Sequence, residues 1–215
     1  TVHLTVDAGG QVTVVSGAQG IGQGIATGIA QAVADRLGIA PESVRVVMGD
    51  TAIVKSGGGA GGSRGLQVGG SAAFAGGRAM VEKARTLAAK EMETAEADLE
   101  YVDARFRIAG TDRSIGLFEL AARQPERRIV LEHTETMKGQ SWPNGAQAAE
   151  VEIDPDTGTL QIVRHYAVDD IGTVMNPLVA EGQMHGGAVQ GIGQALCEQS
   201  VYDAEGQLLT GSFMD

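Results

Sequence analysis

A single cysteine, Cys197, stands among 215 residues, so this chain can form neither an intrachain disulfide nor a cysteine-built zinc site. It falls in an apolar helical pattern, which predicts a buried structural thiol. Basic residues are scarce as well. Sixteen Lys and Arg against 27 Asp and Glu leave a formal net charge of −11 and a pI near 4.8. That balance argues against a nucleic-acid partner, whose phosphates need clustered cations. The one basic run, RQPERRIV, is too short to change this, and Arg123, Arg127 and Arg128 are expected on a solvated loop. No apolar run approaches the roughly 18–20 residues of a membrane span. No basic-then-apolar opening marks a signal peptide. The chain opens at Thr1 rather than Met and is therefore expected to be processed or excised from a longer protein, with room for an export signal in the missing part. The expected compartment is the cytoplasm, with the periplasm as the alternative.

Aromatics are few, four Phe, three Tyr and one Trp, and against them stand 32 glycines. No period of three runs through those glycines, which excludes a collagen helix. A hydrophobic content of 43% excludes disorder. What remains is a fold with many tight loops and close backbone approaches. The length suits one domain over 1–215, with sub-lobes expected at 1–145 and 146–215.

The opening TVHLTVDAGGQVTVVSG alternates apolar and polar residues across Gly9-Gly10 and predicts a hairpin. From Gly24, the residues Ile25, Ile29, Val33 and Leu37 recur every fourth position and predict a helix closed by Gly38. SVRVVMG predicts a buried strand. The stretch from Gly49 to Gly70 is too glycine-rich for regular structure and predicts a long loop of the kind that carries function. Residues 71–93 are strong helix formers, LEYVDARFRIAG predicts a strand pair, and GLFELAARQ a short helix. Two strands flank the turn Asp154-Pro155-Asp156-Thr157-Gly158. Asn176 as N-cap and Pro177 at the first helical position open a further helix. SVYDAEGQLLTGSFMD predicts a last strand or hairpin. The order ββαβ–loop–αββα–ββα–β lacks strict βαβ alternation, so the fold class is α+β, with mixed strands and helices.

The glycine stretch SGAQGIGQG raises a dinucleotide site, since it lies between a strand and a helix. The fingerprint fails in detail. Its third glycine would be Thr27 or, one step earlier, Ile25, and Asp50 lies 26 residues beyond Gly24 where a ribose-binding acid belongs at about 20. No G-K-[ST] occurs. Gln23 stands between two glycines at a helix start, where unpaired amides and the helix dipole favour an anionic or carbonyl-rich ligand. GGSRG offers more backbone amides beside Ser63 and Arg64, and DDIGTVMNP leads to the second helix start with Asn176, Gln183 and His185. Three such segments make sense if they converge on one large, polar, phosphate-bearing molecule.

GQGIAT (22–27), GDT (49–51) with GGSRG (61–65), AEVEIDPDTG (149–158), DDIGTVMNP (169–177), EGQMHGGAVQGIGQAL (181–196) and the closing LTGSFMD occur here in order. Together they resemble the C-terminal molybdenum-cofactor-binding region of the molybdenum hydroxylases, the large subunits of xanthine dehydrogenase, aldehyde oxidase and carbon monoxide dehydrogenase. The resemblance spans nearly the whole chain. It implies a cofactor-cradle lobe that grips a molybdenum–molybdopterin, often the cytosine dinucleotide in bacteria. Carried across by motif, Gln23 would bond near the molybdenum oxo groups or the pterin. Gly24, Ile25 and Thr27 would follow the phosphate or pterin edge. Gly62, Ser63 and Arg64 would hold the pyrophosphate, and Asp170, Asn176 and Gln183 would line the pterin or dinucleotide end. Ala26 stands where some members have His.

The resemblance further implies that the cofactor's dithiolene, not protein thiols, holds the metal. The base would be a glutamate in a GVGE-like motif downstream, and a substrate-side loop would lie upstream, carrying a copper-binding cysteine in the carbon monoxide enzymes. Neither occurs in these 215 residues, so the chain has no assigned catalytic residue and is expected to be inactive alone. The implied partners are the rest of the large subunit, iron–sulfur and flavin subunits or domains, and a small-molecule substrate: an aldehyde, a heteroaromatic ring or carbon monoxide. An NAD- or FAD-binding domain and a non-catalytic structural module stand as alternatives. Glu181 and Glu198 fall in the helical pattern and read as solvated or structural. His133 and His165 lack metal-ligand spacing, and the lone His185, which matches a family position, reads as a structural hydrogen-bonder rather than a ligand or base. The acidic run EMETAEADLE reads as a surface helix end, and Trp142 as either a channel or a packing residue.

Overall fold

The structure, a computed structural model, describes residues 1–137, 139, 141–212 and 214. Phe213 and Asp215 of the closing motif lie outside the described residues. The chain divides into two compact units, Thr1–Gln140 and Ser141–Asp215.

The first unit is built on a four-stranded sheet. Strands β1 (Val2–Asp7) and β2 (Val12–Ser16) form the hairpin that alternation predicts, with every second residue buried. Helix α1 (Ile25–Leu37) then carries the chain to β3 (Val44–Val47), which pairs parallel to β2. Ile25, Ile29, Val33 and Leu37 are all buried, and Gly38 closes the helix in a left-handed conformation. The predicted buried strand β3 is instead the sheet's edge, so of its residues only Val44 is buried. A π-helical turn, Gly65–Gly70, runs straight into helix α2 (Ser71–Met92). The loop prediction therefore fails at its C-terminal end. Leu66 explains why, since Cβ atoms on Gly28 and Gly70 would stand 2.6 and 2.8 Å from its Cδ1. Seating this one apolar side chain outweighs the poor helix propensity of the glycines.

Strands β4 (Leu99–Val102), β5 (Arg105–Ile108) and β6 (Ser114–Gly116) make a second, antiparallel sheet. Asp103 and Ala104 turn the β4–β5 hairpin with φ of 46° and 56°, as a two-residue primed turn requires. Helix α3 (Leu117–Arg123) follows, and then β7 (Arg128–His133) adds to the free edge of β1. Neither β6 nor β7 is foreseen by the sequence reading. Nor do the three arginines share a solvated loop. Arg123 ends α3 and bridges Glu91 and Glu119 at 3.0 and 2.7 Å, Arg127 lies in the turn, and Arg128 opens β7.

The core lies between the four-stranded sheet and the helices. Val2, Leu4, Val6, Val12 and Val14 meet Ile29, Val33 and Leu37 of α1 and Ala73, Met80 and Ala84 of α2. Fully burying one of these Val, Leu, Ile or Met side chains stabilises by about 1.5–3 kcal/mol. Phe106 anchors the second sheet, with the Tyr101 ring 4.5 Å away. The Tyr101 hydroxyl donates to the Leu37 carbonyl at 2.8 Å and so ties this sheet to the end of α1.

The second unit holds the hairpin β8 (Asn144–Ile153) and β9 (Leu160–Asp170), then helix α4 (Pro177–Leu196). Asp154 accepts from the amides of Asp156 and Thr157 at 2.8 and 3.3 Å, which forms the predicted turn and holds its carboxyl below the usual carboxylate range. Asn176 caps α4 by accepting from Val179 N at 3.0 Å, with Pro177 in the first turn. In the final segment Tyr202 bridges Leu208 antiparallel, with Asp203 N donating to Gln207 O at 3.0 Å and Leu209 N to Val201 O at 2.8 Å, a short hairpin without regular strands among its described residues. None of this unit's described residues is buried. That overturns the buried thiol: Cys197 is exposed at the end of α4, because α4 buries no face within its unit.

Candidate functional site

The glycine stretches of the first unit serve two purposes. Some let main chain meet main chain. A Cβ on Gly17 would stand 2.6 Å from both Gly57 Cα and Ser56 O. Others border open space, since Cβ atoms on Gly22, Gly61 and Gly62 would meet nothing within 4 Å.

Gln23 sits half-buried at the head of α1. Its Oε1 accepts from Ile21 N at 2.7 Å, and its Nε2 donates to the Gln19 carbonyl at 3.1 Å. Those bonds brace the loop and leave an amide hydrogen and a lone pair for a further partner. Gly24 takes φ 76° at the N-cap, where no side chain caps the helix, and the first turn carries no acid. The first helical bond runs from Gly28 N to Gly24 O. The amides of Ile25, Ala26 and Thr27 are thus the unpaired donors of the first turn, at the positive end of the dipole. Ile25 contributes only backbone here, because its side chain is buried against Gly65. Thr27 is exposed. Helix α4 differs in having its first turn closed by Asn176.

Gly62 and Ser63 both take left-handed φ, 54° and 55°. For a serine that conformation is costly and marks a loop held in an unusual shape. Arg64 donates from Nη2 to the Gly58 carbonyl. Arg64 lines a cleft of about 200 Å³ between the end of β2 with residues 17–18 after it, the loop 56–59 and the π turn (Val68, Gly69), with Thr1, Ala72 and Glu135 completing the wall. Of the predicted residues only Arg64 lines this cleft. Gln23, Gly24, Ile25, Thr27, Gly62 and Ser63 belong to the adjoining loops and helix start. Sequence reasoning missed Ser16, Gly17 and residues 56–59, whose proximity depends on a contact 40 positions apart.

Asp170, Asn176 and Gln183 belong to the second unit. Asp170 ends β9 and accepts from Gly172 N at 3.0 Å, Asn176 caps α4, and Gln183 is exposed on that helix. His185 lies 4.0 Å from Glu181, both exposed, while Glu198 falls beyond the helix. His133 faces Glu135 at 3.3 Å. Among the described residues no three His, Cys, Asp or Glu side chains gather to hold a metal ion, and no helix is long and apolar enough to cross a membrane.

The arrangement suits a ligand that is large, oxygen-rich and anionic in part. Open backbone at residues 22, 61 and 62 leaves room for bulk, and the α1 amides and Arg64 supply donors for negative oxygens.

Comparison with known proteins agrees with that chemistry. The family model of a molybdopterin cofactor-binding domain matches residues 1–215. The chain is 41% identical, over its whole length, to 28% of the 6-hydroxypseudooxynicotine dehydrogenase complex subunit gamma of Paenarthrobacter nicotinovorans. It is 37% identical, over 90% of its length, to 25% of the carbon monoxide dehydrogenase large chain of Hydrogenophaga pseudoflava. The solved structure of reconstituted CO dehydrogenase from Oligotropha carboxidovorans superposes on the whole chain with a TM-score of 0.86 at 33% identity, covering 28% of that protein. The chain thus spans little more than a quarter of the proteins it matches.

Proposed function

Because the chain belongs to the molybdopterin cofactor-binding domain family, we propose that its first unit holds the phosphate-bearing end of a molybdopterin cytosine dinucleotide within a larger molybdenum hydroxylase. The uncapped first turn of α1 beside Gln23 carries this reading. Backbone donors of Ile25 and Thr27, with Gly24 shaping the turn, meet the phosphate or pterin edge, and Gln23 uses its remaining amide capacity on the pterin or the metal's oxo groups. Gly62, Ser63 and Arg64 hold the pyrophosphate. In the second unit Asp170, Asn176 and Gln183 line the pterin or dinucleotide end. When bound, the cofactor supplies two-electron oxidation with transfer of a water-derived oxygen to a substrate carbon.

The chain contributes binding and orientation, while the catalytic base comes from elsewhere in the parent protein, so the chain alone is inactive. The substrate is an aldehyde, a heteroaromatic ring or carbon monoxide, in keeping with relatives named for a nicotine derivative and for carbon monoxide. Electrons leave through iron–sulfur and flavin subunits or domains.

The test is made on the purified full-length parent. Acid hydrolysis should release cytidine monophosphate equimolar with molybdenum. Release of another nucleotide, or of none, contradicts the dinucleotide assignment. Gln23→Ala should lower turnover and molybdenum content far more than melting temperature, and parallel losses would count against its role.

A further inference from the structure

We propose that Gly17 and Gly57 are positioning residues, whose main-chain contact locks the loop carrying Gln23 to the loop carrying Arg64. The inference rests on the function proposed above. Strand β2 ends at Ser16, a residue only 2% exposed whose hydroxyl accepts from Ala18 N at 3.3 Å, turning the chain out of the sheet. At that bend Gly17 meets the second loop. A Cβ on Gly17 would stand 2.6 Å from Gly57 Cα, and a Cβ on Gly57 would stand 2.5 Å from Gly17 Cα. Gly59 N then donates to Gly17 O at 3.1 Å.

The neighbours on both sides are backbone, so no side-chain rotation relieves an added methyl group. Ordinary contact requires the two loops to part by about 1 Å. The displacement would reach both ligand-facing segments. Gln23 lies six residues beyond Gly17 on one side. On the other, Arg64 is tied through its guanidinium to the Gly58 carbonyl, next to the joint. Gly28 differs, since a Cβ there would meet side-chain atoms of Leu66 and no main chain of another loop. The glycines at 17 and 57 therefore set the relative position of two donor groups that must grip one ligand together, and a misplacement of about 1 Å is enough to weaken such a grip.

The experiment uses the full-length parent carrying Gly17→Ala, Gly57→Ala, both together, or Gly76→Ala. The last presses on Leu4 and Val2 in the core, 2.9 Å from each, away from both loops. Amide hydrogen exchange over residues 17–24 and 56–64 is measured on cofactor-free protein, with molybdenum content and melting temperature on the loaded form. Each single loop variant should speed exchange in both loops about tenfold and lower molybdenum content severalfold. The double variant should be no worse than the weaker single one, because one contact is lost in all three. Gly76→Ala should lower the melting temperature without either effect. Exchange rising in one loop only, an additive double variant, or molybdenum loss no greater than in Gly76→Ala would overturn the proposal. Wild-type parent that takes up no molybdenum would overturn the underlying reading instead, which the exchange arm does not depend on.

Discussion

Tyr101→Phe removes one atom and should leave two separable signatures. The ring's packing against Phe106, with centroids 4.5 Å apart, is kept. Lost is the 2.8 Å bond to the Leu37 carbonyl, which belongs to the last turn of α1 and has no helical donor of its own. Such a bond contributes about 1 kcal/mol. The second signature is alkaline. Burial pushes the phenol well above its ordinary value of 10.0. For a group raised in the folded state, the stability is fully present below the unfolded pKa and is lost as pH climbs above it, because only the unfolded chain then ionises. At pH 11 the wild-type protein should have lost about 1 kcal/mol from this residue, a value below the full 1.36 kcal/mol per unit because the ring is only half-buried. Urea unfolding at pH 7, 9 and 11 measures both. The variant should be weaker by about 1 kcal/mol at pH 7, and the gap should close by pH 11. A gap that is constant or widens with pH would refute the argument.

Three further variants have outcomes set by the geometry. Ala104→Gly relieves a left-handed alanine in the β4–β5 turn and should raise stability by about 0.5–1 kcal/mol, read as a higher urea midpoint. Asn176→Ala should cost α4 about 1 kcal/mol through its lost cap, seen as faster exchange over residues 177–181. Asn176→Asp keeps an acceptor for Val179 N and should preserve that protection.

The elements that the sequence revealed are those whose cause is local. Alternation across Gly9-Gly10 predicts the first hairpin, a fourfold stripe predicts α1, and Asn176-Pro177 marks the start of α4. The misses have nonlocal causes. Strand β7 forms because β1 offers it an edge, and the arginines before it obscure the alternation of Ile129 and Leu131. The π turn at 65–70 is stabilised by Leu66 seated between two glycines. Cys197 shows the limit from the other side: periodicity shows that a face is apolar but not what covers it. In the site, Gln23 and the bare turn of α1 were legible as a local pattern. The Gly17–Gly57 joint was not, because a glycine's contacts leave no trace in its neighbours' identities.

The central claim is that the α1 start and the 56–64 loop hold the cofactor together. Hydrogen exchange on the full-length parent, loaded against cofactor-free, tests it most directly. The account predicts slowed exchange in both segments, 22–28 and 56–64, on loading. Protection confined to other parts of the protein, with these two segments unchanged, would contradict it.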